Sequence, residues 1–145
     1  MILFLVAGFI LFISPVKAQN KTAVYLFWGE GCPHCADEKA FLDQMEEEYS
    51  DLEVKSYEAW NNKQNSELFK KMAAAYGIKA QGVPTTFIGD NEPIVGFAEY
   101  MADDIEKQIV DCIENGCIDP GEKVAGSQKN NQPKSQANVV CIHFF

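Results

Sequence analysis

Positive charge is scarce in this chain. Against 21 aspartates and glutamates stand only 12 lysines and no arginine in 145 residues, and the formal net charge is −9. A nucleic-acid surface needs clustered Lys and Arg to displace phosphate counterions, so that class of partner is argued against. The acidic excess reads as a solvated, soluble surface. Long hydrophobic runs are lacking as well. The apolar run from Ile2 to Ile13, broken only by Gly8, falls short of the ~20 residues that a membrane span takes. Cysteine is limited to five residues, and an apolar fraction of 47% allows one ordinary core without disulfide scaffolding. No internal repeat is present.

What is there begins with a leader. Pro15 follows the apolar run, and Val16-Lys17-Ala18 places small residues at −3 and −1 of a cut after Ala18. No Lys or Arg precedes the run. Residues 1–18 are therefore expected to be a signal peptide, either cleaved or kept as an anchor. Both outcomes put the domain outside the cytoplasm, periplasmic or secreted, free or tethered. An exported protein can keep disulfides, and Cys32/Cys35 and Cys112/Cys117 form two local pairs with Cys141 left over.

The domain is expected over residues 19–118. Val24 to Trp28 reads as a strand buried on both faces. After the Gly29–Gly31 turn, Ala40, Phe41, Met45 and Tyr49 recur at helical spacing among acidic residues that include Asp37 and Glu38. Leu52, Val54 and Tyr57 suggest a second strand. Asn61 to Asn65 read as a polar connection, with Ser66 capping a helix that Gly77 ends. Thr85 to Ile88 and Pro93 to Val95 flank a Gly89-Asp90-Asn91 turn as a hairpin. Gly96 opens a last helix whose apolar face is Met101, Ile105, Ile109, Cys112 and Ile113. The expected class is α/β, in the order β-α-β-α-β-β-α, with a mixed central sheet flanked by helices. Residues 119–145 read as a linker or tail: Gly126 to Asn138 is polar and aperiodic, which predicts disorder, and the last seven residues turn apolar.

Cys32-Pro33-His34-Cys35 carries the chemistry. Pro33 suits the first turn of a helix, which places the first sulfur at the helix N-terminus. Unpaired N–H groups and the helix dipole favour a thiolate there, and such settings lower a cysteine pKa to roughly 3.5–7.5. The Cys32 thiolate can attack a substrate disulfide, and Cys35 can then release the product. His34 can donate a hydrogen bond or carry charge beside Cys32, tuning the pair toward a more oxidising disulfide. A zinc half-site is the bland alternative for the cysteines, and a solvent-facing loop residue is the bland alternative for His34.

Phe27-Trp28-Gly29-Glu30-Gly31-Cys32-Pro33-His34-Cys35, followed downstream by Gly82-Val83-Pro84-Thr85, resembles the thioredoxin superfamily from Thr22 to Asn115. The resemblance implies the thioredoxin fold and a thiol–disulfide oxidoreductase with Cys32 and Cys35 as the catalytic pair. It implies that Pro84 is cis and lies against that pair, and that Val83, Pro84 and Thr85 form the substrate-binding segment. The dipeptide between the cysteines is like that of the periplasmic oxidase DsbA, but too few residues follow α-helical Cys35 for that protein's inserted domain. Thr85 to Asp90 and Ile94 to Phe97 are more similar to small thioredoxin- or glutaredoxin-like domains found ahead of DsbD/CcdA-type membrane electron carriers. On that likeness such a carrier is a partner, and Val139 to Phe145 is the stub of a first span. Thioredoxins also bury an Asp on the first strand. Leu26 stands at that position, with Glu30 and Glu58 as substitutes or plain surface charges.

For Cys112 and Cys117 three readings stand. They are a structural disulfide closed by the Asn115-Gly116 turn, a second redox pair serving Cys32/Cys35, or half of a four-thiolate zinc site. Gly96-Phe97-Ala98-Glu99 sits where glutaredoxins bind the glutathione carboxylate, but Glu99, Asp103 and Asp104 would repel it. The expected function is disulfide exchange with protein thiols by a monomer that needs no cofactor or metal. The alternatives are a metal-binding or delivery module using Cys32, His34 and Cys35, and a non-catalytic adaptor.

Overall fold

A computed structural model describes residues 21–130. The signal segment, Cys141, the apolar terminus and the polar stretch beyond residue 130 lie outside the described residues. Chain order is β1 (Thr22–Trp28), α1 (Pro33–Glu48), β2 (Leu52–Glu58), α2 (Lys63–Ala75), β3 (Thr85–Ile88), β4 (Ile94–Val95), a 3-10 turn (Glu99–Met101), α3 (Ala102–Asn115) and α4 (Pro120–Asn130). The sheet order is β2-β1-β3-β4. The α1 crossover makes β1 and β2 parallel, as a helical connection requires. β3 runs antiparallel to β1 and to β4.

Side-chain alternation along β1 divides the core in two. Val24 and Leu26 face Leu42, Met45, Ile105 and Ile109 of α1 and α3. Ala23, Tyr25 and Phe27 face Phe69 and Met72 of α2 and Val124 of α4. Phe27 stacks on Phe69 at 4.8 Å and meets Phe87 edge-on at 5.8 Å. Both faces of β1 are covered, which is why its sequence is continuously apolar.

Four expectations need correction. The buried face of α1 is Cys35, Glu38, Leu42 and Met45, not one led by Ala40, which is exposed. Helix α2 starts at Lys63 because Asn62, not Ser66, caps it: Asn62 Oδ1 accepts the N–H groups of Gln64 and Asn65 at 3.0 and 3.2 Å. Gly96 has φ +85° and opens an extended stretch, so α3 begins only at Ala102. Finally, the folded unit continues past residue 118 into α4. Pro120 takes the first helical position, and Asp119 Oδ1 accepts the Gly121 N–H at 2.7 Å.

α4 is fastened to the sheet by specific contacts. Lys55 Nζ donates to Asp119 Oδ2 at 3.1 Å and to Tyr25 Oη at 3.2 Å. Gly121 passes so close to that hydroxyl that a Cβ would collide with it. Lys123 Nζ pairs with Asp90 at 2.6 Å and lies 4.0 Å from the Tyr76 ring centre. Among the described residues no helix is long and apolar enough to cross a membrane.

Candidate active site

β1 ends at Trp28, and a turn of Gly29, Glu30 and Gly31 delivers the chain to α1. Gly31 has φ +78°, a conformation that a side chain would strain. Cys32 is the N-cap of α1, and its Sγ accepts the Cys35 N–H at 3.2 Å. Pro33 fills the first helical position, where no N–H is needed. The first cysteine sulfur therefore occupies the place a capping oxygen would take, facing the positive end of the helix dipole. Cys32 and Cys35 are joined as a disulfide with Cα atoms 5.3 Å apart. Cys32 is partly accessible, whereas Cys35 is buried. Pro33 and His34 are exposed beside them.

The Val83–Pro84 peptide is cis, as the resemblance implies. It brings the Val83 carbonyl oxygen within 3.9 Å of Cys32 Sγ. Pro84 is held from behind by the Gly96 N–H, which donates to its carbonyl at 2.8 Å. Thr85 is buried, and its hydroxyl donates to Gly82 O at 2.8 Å. Its side chain thus shapes the segment rather than facing a substrate. On the other side of the cysteines an open depression of about 500 Å³ is lined by Trp28, Gly29, Cys32, Pro33, Cys35 and Lys39, among others. Lys39 Nζ sits 4.1 Å from the Trp28 ring centre.

Neither Glu30 nor Glu58 replaces the buried acid absent at Leu26. Glu30 is exposed. Glu58 accepts the N–H groups of Trp60, Asn61 and Asn62 at 2.9 Å, with a second contact to Asn61 at 3.1 Å. Burial acts to raise Glu58, but these groups and the Glu30 N–H outweigh it and hold its carboxyl below the ordinary range.

The buried carboxyl is Glu38, which is 0% exposed. It lies one turn beyond Cys35 on the same buried face of α1. Its Oε1 accepts the Thr86 hydroxyl at 2.6 Å, while Oε2 has no hydrogen-bond partner. Thr86 is the register partner of Leu26 across β1 and β3. An acid carried by the helix thus reaches the strand pair where a first-strand acid is missing. Desolvation raises its pKa from 4.5 to about 7, against the opposing pull of the Thr86 hydrogen bond. Sequence reading placed Glu38 with the solvated charges of α1. The signal that could have found it is spacing: Cys35, Glu38, Leu42 and Met45 fall on one helical stripe.

Trp60 was also missed. It is 59% exposed and lies on Gly29 so closely that a Cβ at Gly29 would overlap the indole. The Gly29 carbonyl in turn accepts the Cys32 N–H at 3.2 Å.

The second pair, Cys112–Cys117, is closed with Cα atoms 4.9 Å apart. It packs on Gly89, where a Cβ would come within 3.0 Å of both sulfurs. Gly89 follows the far end of β3, whereas Pro84 precedes its near end. The five residue steps from Pro84 to Gly89 along an extended strand separate the two places by ~17 Å. That spacing overturns direct exchange between the pairs and a shared four-thiolate site. Cys112 is buried in the last turn of α3, where the negative end of the dipole disfavours a thiolate. Closing so short a loop stabilises the fold by about 2 kcal/mol in the chain-entropy picture. Among the described residues no group of three or more His, Cys, Asp or Glu is arranged to hold a metal ion.

Compared with solved structures, the chain is similar to a protein described as thiol:disulfide interchange protein DsbE from Chlorobium tepidum. The TM-score is 0.50 and the identity 19%, over 66% of this chain and 82% of that one. The fold is the thioredoxin fold. The glutaredoxin grx-1 from Archaeoglobus fulgidus aligns at 18% identity over 63% of this chain and 89% of that one, with a TM-score of 0.45. No protein-family model and no curated protein matches the chain.

Proposed function

We propose that the protein is a thiol–disulfide oxidoreductase that exchanges disulfides with protein thiols outside the cytoplasm, using Cys32 and Cys35. The observation that carries this reading is the placement of Cys32. Its sulfur caps a helix N-terminus, is partly accessible, and lies 3.9 Å from the carbonyl of the residue before a cis proline. The apolar leader and the second disulfide support a location beyond the cytoplasm.

In the reducing direction, the Cys32 thiolate attacks one sulfur of a substrate disulfide. A Cys32–substrate disulfide forms, and the other substrate sulfur leaves as a thiolate that takes a proton from water. Cys35 then loses its proton to Glu38 and attacks Cys32 Sγ. The Cys32–Cys35 bond forms, and the second substrate thiol departs. Two electrons pass from the protein dithiol to the substrate disulfide; the oxidising direction is the reverse. Glu38, with a pKa of about 7, can accept and return that proton near neutrality. Val83 offers backbone hydrogen bonds to the substrate chain, and Pro33 and His34 tune the potential. A DsbD/CcdA-type membrane carrier is the partner that the sequence resemblance suggests. Glutathione is disfavoured by Glu99, Asp103 and Asp104 beside Gly96.

The test is turnover of a disulfide-bonded protein substrate with dithiothreitol as the electron source. The native chain is expected to accelerate reduction, and Cys32→Ser to fall to the background rate. Turnover retained in Cys32→Ser would overturn the assignment of Cys32, and no acceleration by the native chain would favour the non-catalytic adaptor.

A further inference from the structure

A large aromatic left exposed against the turn that delivers a reactive sulfur needs a reason. The Trp60 loop is tied down at several points. Glu58 binds three of its backbone N–H groups, and Asn61 Nδ2 donates to Glu30 Oε2 at 3.2 Å. The loop and the turn that delivers Cys32 are therefore one unit. One part of the indole covers Gly29, yet more than half of Trp60 remains open to solvent. Two carboxylates are tied to this loop: Glu30, exposed two residues before Cys32, whose Oε2 accepts Asn61 Nδ2, and Glu58, whose oxygens accept the loop N–H groups. Of the nearby cations, Lys63 lies on α2, where its charge acts on Glu67, and Lys39 lies over the Trp28 ring in the depression that Cys32 lines.

We propose that Trp60 and Glu30 select substrates carrying a lysine or arginine side chain next to the reacting cysteine. The inference rests on the redox reading of Cys32 and Cys35 and deepens it. The cation would lie over the free indole surface, where π-face attraction acts, and pair with the Glu30 carboxylate. Because the loop is already fixed, little ordering is needed when the substrate docks. An exposed tryptophan alone would accept any apolar side chain; the adjacent carboxylate turns the preference toward cations.

Two homodimeric peptides test this, each linked by one disulfide, with Lys on both sides of the cysteine in one and Glu in the other. The rate constant for oxidation of the reduced chain by each peptide is divided by that of dithiothreitol with the same peptide. This removes the effect of flanking charge on the leaving thiol. The Lys peptide is expected to be favoured about tenfold. Trp60→Leu and Glu30→Gln should each cut that preference about threefold, whatever their effect on the absolute rates. The general acidity of the protein is unchanged in Trp60→Leu, so a preference that stays at the native value in this variant overturns the proposal. Equal rates for the two peptides with the native chain overturn it too, while leaving the redox reading standing. If the reduced chain cleaves neither peptide, both fall together.

Discussion

Glu38→Gln is expected to gain stability relative to the native chain as pH rises, by about 3 kcal/mol between pH 4.5 and about pH 8. The size comes from the shift of the Glu38 carboxyl from 4.5 to about 7, at about 1.36 kcal/mol per unit. Its sign follows from proton counts. Between those two values the folded protein keeps a proton on Glu38 that the unfolded chain has released. Stability contributed by the neutral carboxyl is thus complete below 4.5 and is lost as pH rises through about 7. Glutamine stays neutral and removes that slope. Its amide nitrogen would inherit the unpartnered Oε2 position, a constant cost that leaves the pH dependence intact. Urea unfolding of both chains across the window measures the difference. Parallel curves would mean that Glu38 titrates normally and is too weak a base to hold the Cys35 proton near neutrality.

Cys35→Ala is expected to stop the reaction halfway. Cys32 is the partly accessible sulfur and Cys35 the buried one, so Cys32 should attack first and Cys35 should resolve. The variant should form one mixed disulfide per chain with a protein substrate, stable until dithiothreitol is added, and should lose steady-state turnover. Cys32→Ser should form no such adduct. Mass spectrometry of the quenched reaction separates the two. Equal trapping by both variants would contradict the assigned order of attack.

Much of this was legible in the sequence. The continuously apolar Val24 to Trp28 could belong only to an element covered on both sides, and the Cys-Pro-His-Cys run fixed the start of α1 through the proline. Glu38 escaped because charge was allowed to outrank spacing: a carboxylate is expected in water, and only the register with Thr86 shows how it is accommodated. α4 escaped because it has few apolar residues and contains Gly121 and Gly126. It is held by Val124 and by pairs such as Lys123–Asp90, which join positions far apart in sequence. Trp60 could not be placed because its neighbour Gly29 lies on another element, and Gly29 gives no sign in the sequence of what covers it. Spacing alone left Cys112 and Cys117 open between a disulfide, a redox pair and half of a zinc site, and their distance from Cys32 depends on which end of β3 they meet.

The measurement that tests the central claim most directly is a redox titration of Cys32 and Cys35 against glutathione, with Cys112, Cys117 and Cys141 replaced by serine. The account predicts a single two-electron transition with a potential between about −270 and −120 mV, the span of dithiols that exchange in catalysis. The position within that span would sort an acceptor of electrons from a donor. A potential below about −300 mV, the range of structural disulfides, or no transition at all, would contradict it.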